Sequence, residues 1–201
     1  RAHADSSAGF GPVLTDPGAI LDLPQGFSYR VISRQGDEMD DGLLVPARAD
    51  GMAAFMGKNG NLNIVCNHEN RPSHAEYGPF GNSYERLNRV DKKLVYDLGS
   101  GKTAGTGGTT TIVFNPATGE TVHRHLSLIG TELNCAGGPT PWNSWLSCEE
   151  SFGNSGVAYE FLSVVHRDQR HGYVFEVPAA ATHAETPVPL RSMGRFKHEA
   201  A

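Results

Sequence analysis

Asn134-Cys135-Ala136-Gly137-Gly138-Pro139-Thr140-Pro141-Trp142-Asn143-Ser144-Trp145-Leu146-Ser147-Cys148-Glu149-Glu150-Ser151 is the stretch that decides how the rest of this chain is read. Gly137, Gly138, Pro139 and Pro141 are turn formers between two short runs, so the segment reads as one β-hairpin. A hairpin sets residues about equally far from its turn side by side. Cys135 is thereby brought near the adjacent carboxylates Glu149 and Glu150. A soft thiol beside hard carboxylates is seldom needed for packing, and it is a donor set that a metal ion can use.

Working outward, 201 residues make one good-sized domain or two small ones. Apolar residues are 38% of the chain, with 24 glycines and 12 prolines, a balance that suits many short strands and turns better than a helical bundle. A formal charge of −5 argues against nucleic acid or an anionic membrane as a partner. An anionic substrate would need local positive charge, from a few arginines or from bound cations. Three cysteines exclude a disulfide scaffold, although a Cys66–Cys148 pair stays open. No apolar run approaches a membrane span. Ala2-His3-Ala4 has the A-x-A form of a signal-peptidase site, as in an exported protein whose signal has been removed.

Strand signals recur along the chain. Residues 1–30 read as an irregular lead-in with one short strand at Phe27–Ser33. Further strands are predicted at Leu62–Cys66, Thr109–Phe114, Thr121–Leu128, Trp145–Cys148, Tyr173–Val177 and Leu190–Phe196, and only Ser83–Lys93 has room for a short helix. The class is therefore all-β. The tract Asp37-Glu38-Met39-Asp40-Asp41-Gly42 is not an EF-hand loop. Met39 falls where an oxygen ligand is needed, and Arg48 where the closing Glu belongs, so a solvated turn is expected. Gly99–Thr103 ends like a phosphate-binding loop but has Tyr96 at the first glycine position. Gly105, Gly107 and Gly108 lead into a strand, not the helix that a nucleotide fingerprint requires.

An internal repeat links distant parts of the chain. Ile64-Val65-Cys66-Asn67-His68-Glu69 resembles Trp145-Leu146-Ser147-Cys148-Glu149-Glu150. Thr111–Pro116 resembles Gly172–Pro178, and Ser127–Ala136 resembles Ser192–Ala200, which sets Cys135 against Glu199, 64 residues on. Units of this size with a few short strands each suggest a β-propeller, whose loops would carry Glu69, Cys135, Glu149 or Glu150, and Glu199 to one mouth of a central channel. The expected division is a lead-in at 1–22, a first blade region with an insertion at 23–143, and a second at 144–201. Two blades do not close a ring, so the chain is expected to be a piece of a longer protein.

The motif at Asn134–Glu150, with Gly194-Arg195-Phe196-Lys197-His198-Glu199-Ala200, Asn67-His68-Glu69 and Pro46-Ala47-Arg48-Ala49-Asp50-Gly51-Met52, resembles the PhoX family of bacterial alkaline phosphatases. The resemblance runs from about Leu23 onward. It implies a six-bladed propeller, of which this chain holds about the first two blades. It also implies twin-arginine export to a periplasmic or extracellular location, and hydrolysis of phosphate monoesters by an oxygen nucleophile bound to iron and calcium ions at the propeller axis. By resemblance Cys135 is an iron ligand, Glu150 a ligating glutamate and Glu199 a further one. The remaining ligands and substrate-binding arginines lie beyond Ala201. A small phosphate monoester is the implied partner, and the complete protein is expected to be a monomer.

From the residues alone, Cys135 is open between a metal ligand and a buried small hydrophobe. Glu149 and Glu150 alternate faces if the strand runs through them, so one can face the site. Glu150 is the first choice and Glu149 the second. Glu199 is either a ligand or part of a surface ion-pair cluster with Arg195, Lys197 and His198. Asn134, His198, Glu69 and His68 are candidates for contacts behind the ligands. His123, Arg124, His125, His166 and His171 lack a convincing ligand set and read as surface residues, while Trp142 and Trp145 read as packing aromatics. No G-x-S-x-G nucleophile elbow is present. Two other functions stay open: a calcium-dependent lactonase or esterase with oxygen ligands only, and a non-catalytic calcium-binding or partner-binding propeller.

Overall fold

The computed structural model describes residues 9–201, and the Ala2-His3-Ala4 signature lies outside them. The chain divides into a small unit, Arg1–Ile32, and a large one, Ser33–Ala201. In the small unit a two-residue ladder pairs β1 (Val13–Leu14) with β2 (Leu23–Pro24). Its turn is gathered by Asp16, whose carboxylate accepts the amides of Gly18 at 2.9 Å and Ile20 at 2.9 Å and the Tyr29 hydroxyl at 2.6 Å. The strand expected at Phe27–Ser33 does not form.

The large unit is built on two antiparallel sheets. The first is a four-stranded meander of β3 (Ala49–Met56), β4 (Leu62–His68), β5 (Gly107–Asn115) and β6 (Glu120–Thr131), in that spatial order. Its turns follow from local chemistry. Asn59 (φ 57°) and Gly60 (φ 78°) take the left-handed conformations that a tight reversal between β3 and β4 needs. Between β5 and β6, the Asn115 side chain accepts the Ala117 amide at 2.9 Å, and Gly119 (φ 72°) closes the turn onto the Asn115 carbonyl. The second sheet is three-stranded, with β8 (Ser144–Glu149) between β7 (Asn134–Pro139) and β11 (Val174–Pro178). A separate hairpin pairs β9 (Gly156–Glu160) with β10 (Ser163–Arg167).

The all-β reading holds: the described residues contain no α-helix, only short 3-10 turns. Both sheets are open, and the described residues form no closed barrel or ring of blades. The Asn134–Ser151 hairpin is present, with Asn134 opposite Glu149 and Pro139 opposite Trp145. Two expected elements differ. Ser83–Lys93 forms only the 3-10 turns Leu87–Arg89 and Lys92–Leu94, since so short a run does not offset helix nucleation. Leu190–Phe196 is not a strand: Arg191–Met193 is a 3-10 turn, and Gly194 (φ 86°) breaks the extended path.

Two apolar clusters hold the large unit. In one, Phe80, Val95 and Ala104 from the long β4–β5 connection pack with Met39, Leu43, Val45, Leu126 and Ile129. In the other, Phe55, Val65 and Leu128 of the first sheet meet Trp145, Phe175 and Val177 of the second. Each fully buried side chain of this kind contributes about 1.5–3 kcal/mol. Trp145 is thus a packing aromatic as expected, but Trp142 is 69% exposed and instead donates its Nε1–H to Glu176 at 2.5 Å.

Candidate metal centre

The second sheet meets the first along β7 and β3. Gly51 of β3 lies so close to β7 that a Cβ there would stand 2.7 Å from Cα of Ala136 and 2.9 Å from the Cys135 carbonyl oxygen. Asn67 ties the sheets from the β4 side. Its Oδ1 accepts Trp145 Nε1–H and the Ser147 hydroxyl, both at 2.9 Å, and its Nδ2–H donates to the Ala136 carbonyl at 2.8 Å. Asn134 is fully buried, accepts the Thr131 hydroxyl at 2.7 Å and donates to Ser147 Oγ at 2.9 Å. The β7–β8 ladder breaks register between Asn134 and Gly137. Such a bulge re-aims a side chain, and the residues inside it are Cys135 and Ala136.

Cys135, Glu150 and Glu199 converge there, with one ligand atom from each lying within 4.8 Å of the others. Glu150 follows the end of β8, fixed by its amide donating to the Leu133 carbonyl at 2.8 Å. Glu199 is held through its backbone, its carbonyl accepting the Ala136 amide at 3.2 Å. The Cys135 thiol is 3.2 Å from that same carbonyl and 3.3 Å from the carbonyl of His198. Burial, joined by the charges of Glu199 and Glu150, pushes the thiol up to about 11. A cation between these groups reverses that balance, because a bound metal favours the thiolate and neutralises both carboxylates. The donor set therefore fits a metal ion. All three cysteines are free thiols, so Cys66 and Cys148 are not paired.

Glu149 points the other way. It is fully buried, and its carboxylate accepts His171 Nδ1–H at 2.6 Å and the amides of Gly172 at 2.8 Å, Glu132 at 3.1 Å and Tyr173 at 3.2 Å. With its oxygens committed to these donors, Glu149 braces the end of β8 and does not join the cluster. His171 also bonds Asp97 through Nε2 at 2.9 Å. Burial alone would pull this imidazolium down, but the Glu149 and Glu132 charges and the Asp97 bond outweigh it and push it up to about 10. Arg167, 6% exposed, completes the network on Glu132 at 2.8 Å.

The other candidates divide. His68 is buried and uses both ring nitrogens in the core, on the Ala47 carbonyl and Thr110 Oγ1, each at 2.9 Å. His198 is 5% exposed, packs its ring against that of Phe196 with centroids 3.8 Å apart and planes inclined by 32°, and leaves Nε2 without a hydrogen-bond partner. Glu69 is half-buried, and burial together with the charges of Asp50 and Glu150 pushes its carboxyl up, partly offset by Arg48 and Arg71. Contrary to the surface reading, His125 and His171 are each 1% exposed. Asp97, Glu132 and Arg167 were not singled out from the sequence: Asp97 meets His171 across 74 residues and Glu132 meets Arg167 across 35, separations that leave no local spacing to detect. Arg48 and Asp50 do carry a signal, the Pro46–Met52 motif, although it assigns them no role.

An all-β chain that gathers a thiol and two carboxylates where two sheets meet is defined, as a class, by a candidate metal centre. Residues 8–201 match the family described as alkaline phosphatase PhoX, and the chain belongs to that family. No curated protein and no solved structure matched it.

Proposed function

We propose that Cys135, Glu150 and Glu199 hold a cation that serves the hydrolysis of small phosphate monoesters. The observation that carries this is the convergence of one thiol and two carboxylate oxygens within 4.8 Å. A thiolate in the set favours iron at this position, whereas calcium would take oxygen-only positions with ligands from outside this trio. When bound, such cations stabilise charge on phosphoryl oxygens. The chain's own residues then have separate tasks. The bulge at Cys135 and the backbone bonds of Glu150 and Glu199 fix the donors. Arg48 and Arg71, within electrostatic reach of Glu69, supply positive charge on that side for a dianionic substrate. The same proposal includes a propeller in which the β3–β6 meander is one blade and the β7-β8-β11 sheet part of the next, a monomeric complete protein, and a periplasmic or extracellular setting. It rests on the repeat and the family.

The test is metal analysis and aryl phosphate hydrolysis of the full-length protein and its Cys135→Ser variant. The expected result is iron and calcium in the wild type, with loss of iron and of activity in the variant. Retention of both by Cys135→Ser sinks the assignment, and activity on lactones without activity on phosphates replaces the function.

A further inference from the structure

His123 and His125 are two residues apart on β6, so both project from one face of the strand. Their ring centroids are 5.1 Å apart with planes inclined by 30°. His125 is 1% exposed, and neither of its ring nitrogens has a hydrogen-bond partner. Buried polar side chains are nearly always satisfied, so an orphaned imidazole facing a cavity points to a ligand. The cavity has a volume of about 290 Å³, and His123, His125 and His183 all line it.

The neighbours are arranged as they are around a metal-binding imidazole. Nδ1 of His123 is 3.3 Å from a carboxylate oxygen of Asp40, and Nδ1 of His183 is 3.0 Å from the Ala184 carbonyl. In the neutral tautomer each Nδ1–H donates to that oxygen and leaves the Nε2 lone pair free, the second contact that orients histidine ligands in metal sites. His125, buried on the cavity wall with neither ring nitrogen hydrogen-bonded, adds a third imidazole to the lining. Asp40, Asp41 and Asp91 give the cavity a negative rim. Its one arginine, Arg89, donates to the Gly42 carbonyl at 2.8 Å. Asp41 accepts the amides of Leu126 at 2.7 Å and Leu43 at 3.0 Å.

We infer that this cavity is a second metal site, separate from Cys135, Glu150 and Glu199, which binds a divalent transition cation such as Zn²⁺ through His123, His125 and His183. Imidazole donors favour Zn²⁺, Cu²⁺ or Ni²⁺ over Mg²⁺ and Ca²⁺. The His123–His125 pair, neighbours on one face of β6, supplies two of the three donors. Only the Cys135 cluster already holds three ligand atoms within 4.8 Å among the described residues, so capture of the ion draws the exposed His183 toward the strand.

The test is Zn²⁺ titration of the intact protein by equilibrium dialysis, with imidazole ¹H–¹⁵N spectra recorded alongside. The wild type is expected to take up one more equivalent than His123→Ala, or to bind it at least tenfold more tightly. Ring-nitrogen resonances of His123 and His125 are expected to shift with Zn²⁺ and not with Mg²⁺. Phosphatase activity of His123→Ala is expected to match the wild type, which separates this site from the Cys135 centre. His125→Leu is a second variant, and if it fails to fold, His123→Ala and the exposed His183→Ala decide. Equal Zn²⁺ stoichiometry and affinity in wild type and variants, or imidazole resonances that do not respond, overturns the inference.

Discussion

Nδ1 of His171 stands 2.6 Å from a carboxylate oxygen of Glu149, the residue immediately before the candidate ligand Glu150. Through Nε2 the same ring reaches Asp97 at 2.9 Å, so one imidazolium clamps the end of β8 to the loop that precedes β5. Glu149 adds backbone bonds on both sides, its amide donating to the Tyr173 carbonyl and its carbonyl accepting the His198 amide, each at 3.0 Å. Glu150 and Glu199 are therefore positioned by a charged core beneath them.

This clamp gives stability a definite pH dependence. The folded protein holds His171 up at about 10, against an ordinary value of 6.5. A group raised on folding contributes fully below its unfolded value and loses that contribution as pH rises through its folded value. Stability should fall progressively between about pH 6.5 and 10. His171→Gln should cost about 3–5 kcal/mol at neutral pH, because it leaves buried carboxylates without their counter-charge, and should flatten that slope. Denaturant unfolding at several pH values checks this, and a slope unchanged in the variant removes His171 as its source.

Asn67 tests the link between the sheets. Asn67→Ala deletes the acceptor of Trp145 Nε1–H and the Ser147 hydroxyl and frees the Ala136 carbonyl beside Cys135. Leaving buried donors unpaired should cost about 1–3 kcal/mol. Thermal unfolding measures that cost, and metal content measures whether the Cys135 bulge loosens with it. A variant as stable as the wild type shows that water replaces the side chain.

Gly51, with no Cβ, lets β3 approach the bulge closely. Gly51→Val places atoms where Ala136 Cα and the Cys135 carbonyl already are, and the backbone must separate. Overpacking of this kind costs about 1–3 kcal/mol, and it falls directly on the thiol's position. The expected result is a larger loss of bound metal than the loss of stability explains. Metal analysis of folded Gly51→Val protein at the wild-type level contradicts it.

How far the sequence reaches is visible in particular elements. β4, β5 and β6 announce themselves through β-branched residues and the Asn59-Gly60 and Asn115–Gly119 turns. β3 does not, because Ala-Asp-Gly-Met-Ala-Ala-Phe-Met has little strand propensity and is recruited by pairing with β4. The β9–β10 hairpin is hidden for a different reason. Its turn places Phe161 (φ 47°) and Leu162 (φ 68°) in left-handed conformations normally signalled by Asn or Gly. At the site, the hairpin spacing and the 64-residue repeat put forward Cys135, one of Glu149 and Glu150, and Glu199. Spacing left Glu149 and Glu150 both open and the family resemblance put Glu150 first; the residues that hold Glu149 away, His171, Asp97 and Glu132, meet only through tertiary packing. Alternation along the strand showed that the two carboxylates face opposite ways, but not which way is inward.

In the proposed metal centre the thiol would set the pH dependence of binding. Burial pushes Cys135 up to about 11, so a cation ligated by sulfur must displace a proton at any pH below that value. Apparent affinity should therefore rise with pH, by up to about tenfold per unit from this one group. Bound metal should also stabilise the fold, by about 2.7 kcal/mol at a free concentration one hundred times the dissociation constant. Chelation should lower the melting temperature, and readdition of Fe²⁺ should restore it. Cys135→Ser should abolish the increment and weaken the pH dependence, since a serine hydroxyl stays protonated and is a poor ligand for the same ion. Metal affinity that stays constant from pH 6 to 9 in the wild type is incompatible with a ligating thiolate at Cys135.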